Sequence, residues 1–174
     1  RITANDMYII SKHALQNETI RKVSSKYGKT MPKTNKSDVR YLYNTNPLLN
    51  EYSYYHFSGA KIFGLKTGTT DKAGACLITS ATKNGYTYIA IAMKGVSNYY
   101  LDGEARNTAF LTCRYMLRWA FNNMEMKVLA DTERILGEVS VEYGRSYDYV
   151  SLVPKESVKA VVLNEVDEIG RASC

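Results

Sequence analysis

The 174-residue sequence has no long apolar run, few histidines and no closely spaced cysteines. No segment approaches the ~18 consecutive apolar residues of a membrane-spanning helix. The three cysteines, Cys76, Cys113 and Cys174, include no Cys-x-x-Cys pair, and only two histidines accompany them. This argues against thioredoxin chemistry and His/Cys zinc clusters, so we expect no metal site.

Charge and composition further limit the partners that this protein can bind. Hydrophobic residues make up 45% of the chain, which is enough for a core, and the net charge of +6 favours anionic partners. The lysines and arginines are scattered, and the fifteen tyrosines form no aromatic-plus-basic motif of a nucleic-acid module. We therefore expect no nucleic-acid partner.

The pattern along the chain predicts a mixed α/β (α+β) fold. Thr3 followed by Asp6 predicts a helix start, and residues 17–46 are polar and turn-rich, with short strands expected at 24–27 and 39–43. Strands are predicted at 64–70, 75–82 and 86–94, the last apolar enough to be buried on both faces. Lys83-Asn84-Gly85 is a hairpin signal, so the three strands form an antiparallel meander. Residues 104–121 predict a helix that packs across this sheet.

The sequence pattern changes from about residue 128. Short β-type runs at 128–136, 138–143, 147–153 and 158–163 are separated by Gly and Pro. We therefore expect residues 1–124 to belong to one domain, and residues 125–174 to begin a small β-rich second domain.

One segment carries chemical information: Lys66-Thr67-Gly68-Thr69-Thr70, on a predicted strand that leads into the meander and its helix. A Lys-Thr-Gly triplet alone is common. In this setting it resembles the third motif of the serine β-lactamases and penicillin-binding proteins.

Several further segments resemble the low-molecular-weight D-alanyl-D-alanine carboxypeptidases (peptidase family S11). They include Thr3-Ala-Asn-Asp-Met7, Asn44-Thr-Asn-Pro-Leu-Leu49, and the stretch from Gly64 to Gly74. The resemblance implies a β-lactamase/transpeptidase-like domain with an antiparallel sheet and packed helices. It makes Lys66 and Thr69 catalytic, with the Thr69 N–H in an oxyanion hole. It makes Thr67, Gly68, Thr70 and Arg106 substrate-binding, with Arg106 on the substrate carboxylate.

The family's other motifs are Ser-x-x-Lys, which supplies the nucleophile, and Ser-x-Asn. Ser-x-Asn does not occur here, and Ser-x-x-Lys occurs only at Ser58 and Ser80. Neither serine is expected at a helix start, where serine and lysine would share a face, so both are interpreted as chance matches. Because the sequence begins at Arg1 without Met or a leader, we expect the missing motifs upstream of Arg1. His13, His56, Asp71 and Glu104 are interpreted as surface or packing residues.

The resemblance implies that the parent protein hydrolyses the terminal D-alanine of peptidoglycan stem peptides outside the cytoplasmic membrane, binds β-lactams and needs no cofactor. This chain alone is expected to be inactive and to associate through core surface that the missing part would cover. We make no prediction about whether a membrane anchor follows Cys174. The alternatives are a serine β-lactamase, and a non-catalytic peptidoglycan-binding module.

Overall fold

The computed structural model describes residues 2–165. Contacts within the chain divide it into two compact units, Arg1–Ala120 and Phe121–Cys174. Cys174 lies outside the described residues, and the division into domains at residue 124 stays a prediction. No helix in the described part of the chain is long and apolar enough to cross a membrane.

The first unit opens with two helices. Helix α1, Ala4–Gln16, begins at the predicted capping box, in which Thr3 and Asp6 bind each other's backbone N–H groups. Helix α2, Glu18–Ser24, follows, capped by the Asn17 side chain. Within the stretch expected to be polar and turn-rich, residues 17–46, this helix was missed, because a seven-residue helix with one cap leaves little periodic signal.

A small hairpin and a sheet follow α2. Strands β1, Gly28–Met31, and β2, Arg40–Tyr43, pair antiparallel, so the strand expected at 24–27 begins later. A 3-10 turn covers Pro47–Leu49. Strands β3 (Lys61–Thr70), β4 (Gly74–Lys83) and β5 (Tyr86–Gly95) then form the predicted meander, in the order β3-β4-β5. Asn84 and Gly85 join β4 to β5 with φ of 52° and 85°, as a two-residue hairpin loop requires.

The core lies between this sheet and helix α3, Thr108–Asn123. The helix buries Leu111, Cys113 and Leu117, and the Cys113 Sγ lies 3.7 Å from the Leu77 carbonyl oxygen. The predicted packing across the sheet is therefore confirmed. The helix starts later than expected, because strand β7, Ala105–Asn107, pairs with β6, Ser97–Tyr99. Burial of β5 on both faces was also wrong: Ala90 and Ala92 are buried on one face only.

Up to residue 165, the second unit holds four strands in two antiparallel pairs. Strands β8, Met124–Ala130, and β11, Val158–Leu163, form one pair. Strands β9, Gly137–Ser140, and β10, Tyr149–Leu152, form the other. Each of the four predicted β runs overlaps a strand, although β8 begins at Met124, before the first run. The first run stops at Ala130, because residues 131–136 form a turn in which Asp131 Oδ1 accepts from the N–H groups of Glu133 and Arg134.

Candidate functional site

The Lys-Thr-Gly segment lies on β3, the outer strand of the three-stranded sheet. One side of β3 pairs with β4, where Thr67 faces Leu77 and Thr69 faces Ala75. Lys66, Gly68, Thr69 and Thr70 are exposed, and Thr67 is half-buried. The register shifts between Gly64 and Lys66, which places a bulge at the start of the motif. An exposed edge strand with this composition can pair with an extended chain while its hydroxyl and ammonium groups contact an anion.

Two glycines in β3 have opposite surroundings. A Cβ built at Gly68 meets no atom within 4 Å, so the space beside the motif is open. A Cβ at Gly64 would lie 2.6 Å from the Ser24 carbonyl oxygen and 2.8 Å from Leu49 Cδ1. Gly64 therefore lets neighbouring chain pack against the strand, whereas Gly68 leaves room for a ligand.

Residues 44–49 lie beside the Lys-Thr-Gly segment and form hydrogen bonds to β3 and β4. Thr45 Oγ1 lies 2.6 Å from Thr67 Oγ1. The buried Asn46 donates from Nδ2 to Thr79 Oγ1 at 3.1 Å, and Thr79 donates in turn to the Phe63 carbonyl oxygen at 3.0 Å. This chain of hydrogen bonds ties the segment to β3 and β4. Sequence reasoning noted the Asn-Thr-Asn segment but gave Thr45 no role, although its place in a matching segment was a usable signal.

The start of α1 also lies beside the motif. A cavity of about 160 Å³ is bounded by Lys66, Thr67 and Gly68 on one side and by Ile2 and Met7 on another. Lys66 Nζ donates a hydrogen bond to the Thr67 carbonyl oxygen. The structure thus brings the Thr3–Met7 region and the Lys-Thr-Gly segment, which are far apart in sequence, to one place.

Arg106 is held in place by an acidic side chain and two aromatic rings. It pairs with Asp102, and its guanidinium lies 4.0 Å from the Tyr54 ring centroid and 4.9 Å from that of Tyr100. Hydrogen bonds from Arg106 and then from the Glu104 backbone N–H lower the pKa of the Asp102 carboxyl. The same pair raises the pKa of Arg106, so both groups are charged at neutral pH. Neither Asp102 nor the two rings was singled out from the sequence.

The two Ser-x-x-Lys matches lack the geometry of a nucleophile. Ser80 is fully buried in the middle of β4, and Lys83 ends the same strand. Ser58 lies in an exposed turn before β3, while Lys61 is the first residue of β3 and its Nζ lies 5.3 Å from the Phe63 ring centroid. Neither serine stands at a helix start, as the sequence predicted.

The remaining candidates lie where the sequence placed them. Asp71, Glu104 and His13 are exposed, and His56 is half-buried with Nδ1 2.8 Å from the Leu48 carbonyl oxygen. Within residues 2–165 no three His, Cys, Asp or Glu side chains come together as a metal site would require.

Similarity to solved structures defines the class of fold. The chain matches a peptidoglycan synthesis regulatory factor (PBP3) from Streptococcus pneumoniae with a TM-score of 0.60, at 18% identity, over 94% of this chain and 42% of that one. It matches penicillin binding protein 5 from Haemophilus influenzae with a TM-score of 0.58, at 24% identity, over 93% and 42%. The predicted α+β fold, of the kind found in penicillin-binding proteins, is therefore confirmed.

Sequence similarity defines the family. The family model described as D-alanyl-D-alanine carboxypeptidase, Peptidase_S11, matches residues 1–97. A curated relative, D-alanyl-D-alanine carboxypeptidase DacF of Bacillus subtilis (strain 168), is 29% identical over 156 residues, which is 90% of this chain and 36% of the relative. The chain belongs to the D-alanyl-D-alanine carboxypeptidase family, peptidase S11. It spans well under half the length of the relatives to which it is similar.

Proposed function

We propose that this chain supplies the substrate-binding strand of a serine-type D-alanyl-D-alanine carboxypeptidase. One observation carries the proposal: in a chain whose residues 1–97 match the family, Lys66-Thr67-Gly68-Thr69-Thr70 lies on an exposed sheet edge with open space at Gly68. The substrate is a peptidoglycan stem peptide that ends in D-alanyl-D-alanine, bound extended along β3.

Each residue of the motif has a role in the proposal. Lys66 places a positive charge beside the substrate and the proton relay. Thr67 and Thr70 bind the substrate through their hydroxyls, and Gly68 lets its backbone approach. The Thr69 N–H stabilises the oxyanion, a contribution of about 3–4 kcal/mol to the barrier. Arg106, fixed by Asp102 and two tyrosines, binds the terminal carboxylate.

The reaction proceeds through an acyl-enzyme. A serine hydroxyl attacks the carbonyl carbon between the two D-alanines, the terminal D-alanine leaves with a proton, and water hydrolyses the ester. The attacking serine is neither Ser58 nor Ser80, because one lies in a turn and the other is buried in a strand. β-Lactams acylate the same serine. The reaction takes place outside the cytoplasmic membrane, where the net charge of +6 suits an anionic cell wall.

Release of D-alanine tests the proposal. The complete product of the gene is incubated with an N-acylated peptide ending in D-alanyl-D-alanine. We expect Lys66→Ala to lower kcat/KM about 100-fold or more, while Lys29→Ala, on the exposed strand β1, leaves it unchanged. If the protein releases no D-alanine but binds to cell-wall sacculi, it is a binding module instead. Rapid turnover of a chromogenic cephalosporin would indicate a β-lactamase.

A further inference from the structure

A polar cavity lies in the first unit, beside α3. Its volume is about 370 Å³, which is within the range of small-ligand sites. None of the residues that line it belongs to the Lys-Thr-Gly segment or has a role in the proposed reaction; they are Glu51, Ser53, His56, Phe57, Ser58, Arg114 and Arg118.

Two arginines give the cavity its charge. Arg114 and Arg118 are one helical turn apart on α3, so their side chains share a face. In the part of the chain that the structure describes, neither forms an ion pair. Arg114 Nε is buried and has no hydrogen-bond partner in the described part of the chain. A buried guanidinium N–H without an acceptor is costly, so a small turn of the Arg114 side chain toward an anion in the cavity would satisfy it.

The other lining groups fit an oxyanion. Donation from His56 Nδ1 to the Leu48 carbonyl oxygen leaves Nε2 as the ring nitrogen available to a ligand. Ser53 and Ser58 add hydroxyl groups. Glu51 is the one acidic residue in the lining, so two arginines outnumber it and the cavity carries a net charge of +1.

We propose that this cavity binds the phosphate group of a small phosphate ester or of free phosphate. The planar guanidinium fork matches phosphate oxygens, and two forks one turn apart can hold one phosphate from two sides. The site is separate from the proposed catalytic strand. It adjoins Arg106 through the Tyr54 ring, which lies 4.0 Å from the Arg106 guanidinium and 5.2 Å from that of Arg114.

Calorimetric titration of the complete gene product tests the site. The probes are inorganic phosphate and dimethyl phosphate, at an ionic strength held constant with chloride, because salt screens surface charges. Tighter binding of inorganic phosphate identifies the free ion or a monoester as the ligand. Tighter binding of dimethyl phosphate identifies a diester. No heat of binding with either probe would overturn the proposal.

Three variants locate the binding. Arg118 is exposed, so Arg118→Gln should fold normally, and it is expected to weaken binding about tenfold or more through the loss of a charged hydrogen bond. Glu51→Gln is expected to strengthen binding a few-fold, because it removes the opposing charge. Lys22→Gln, an exposed cation on α2, is the matched control. Equal affinities for wild type and Arg118→Gln would contradict the site, as would equal weakening by Lys22→Gln.

Discussion

At the scale of single residues, the packing around β3 decides which positions accept a side chain. Gly64 and Gly68 lie on the same strand, yet a Cβ at Gly64 would meet backbone and Leu49, while a Cβ at Gly68 meets open space. The sequence shows two similar glycines, and only the fold separates a packing position from one that faces open space.

We expect Gly64→Ala to lower the free energy of unfolding by about 1–3 kcal/mol, because the methyl group overlaps the Ser24 carbonyl oxygen. Gly68→Ala is the matched control, and its change should stay within about 0.5 kcal/mol. Urea denaturation followed by circular dichroism measures both. Equal effects from the two substitutions would contradict the packing described for Gly64.

The buried Cys113 thiol is expected to make the free energy of unfolding fall at alkaline pH. Burial raises the pKa of the Cys113 thiol to about 12, whereas an unfolded thiol ionises near pH ~8.5. The folded pKa is the higher one, so this contribution to stability is fully present below about pH 8.5 and is lost as pH rises toward 12. We expect a loss of about 2 kcal/mol by pH 10 from this group.

The measurement compares urea midpoints between pH 7 and 10. Cys113→Ala should be less stable at every pH but should show a smaller alkaline loss than wild type. Leu111→Ala, which removes a buried side chain without a thiol, should keep the wild-type slope. If the slope of Cys113→Ala equals that of wild type, Cys113 is not buried as a thiol.

At the scale of elements, the sequence predicted those with a strong local signal. The capping box at Thr3, the Asn84-Gly85 turn and the long strands β3, β4 and β5 were found because local chemistry determines them. Helix α2 was missed, and α3 was predicted to start too early. The first is short, and the start of the second depends on the β6–β7 pairing, which joins residues on either side of a loop.

The hydrogen-bonded link between the 3-10 turn and the sheet is a testable element contact. Thr79→Val keeps the shape but removes the hydroxyl that accepts from Asn46 and donates to Phe63. We expect a loss of about 1–3 kcal/mol in unfolding free energy, because a buried amide is left unpaired. Thr82→Val, whose hydroxyl pairs with Thr87 at an exposed position, should cost less. A neutral Thr79→Val would contradict the link.

At the scale of the whole molecule, the 174-residue chain exposes much apolar surface. Ile9 and Ile10 on α1 are 59% and 54% exposed, and Trp119 on α3 is 54% exposed. Such surface favours association in water. We expect light scattering from the purified chain to give a mass that exceeds 19.7 kDa and rises with concentration. A constant monomer mass at every concentration would contradict this expectation.

The site is a property of the whole molecule, because its parts meet only in the fold. The Lys-Thr-Gly segment and Arg106 were predicted through the resemblance to a family, and their roles stay predictions. The contact between Thr45 and Thr67 was not predicted, because it joins side chains 22 positions apart and no periodic pattern encodes it. The pair of Asp102 and Arg106 was missed because these residues, four positions apart, lie outside a helix, where this spacing carries no signal.

The most direct measurement is mass mapping of the complete gene product after incubation with benzylpenicillin. The account predicts one penicilloyl adduct on a serine other than Ser58 and Ser80, formed much more slowly in Lys66→Ala than in Lys29→Ala. An adduct on Ser58 or Ser80, or acylation of Lys66→Ala at the wild-type rate, would contradict the assignment of β3 as the substrate-binding strand.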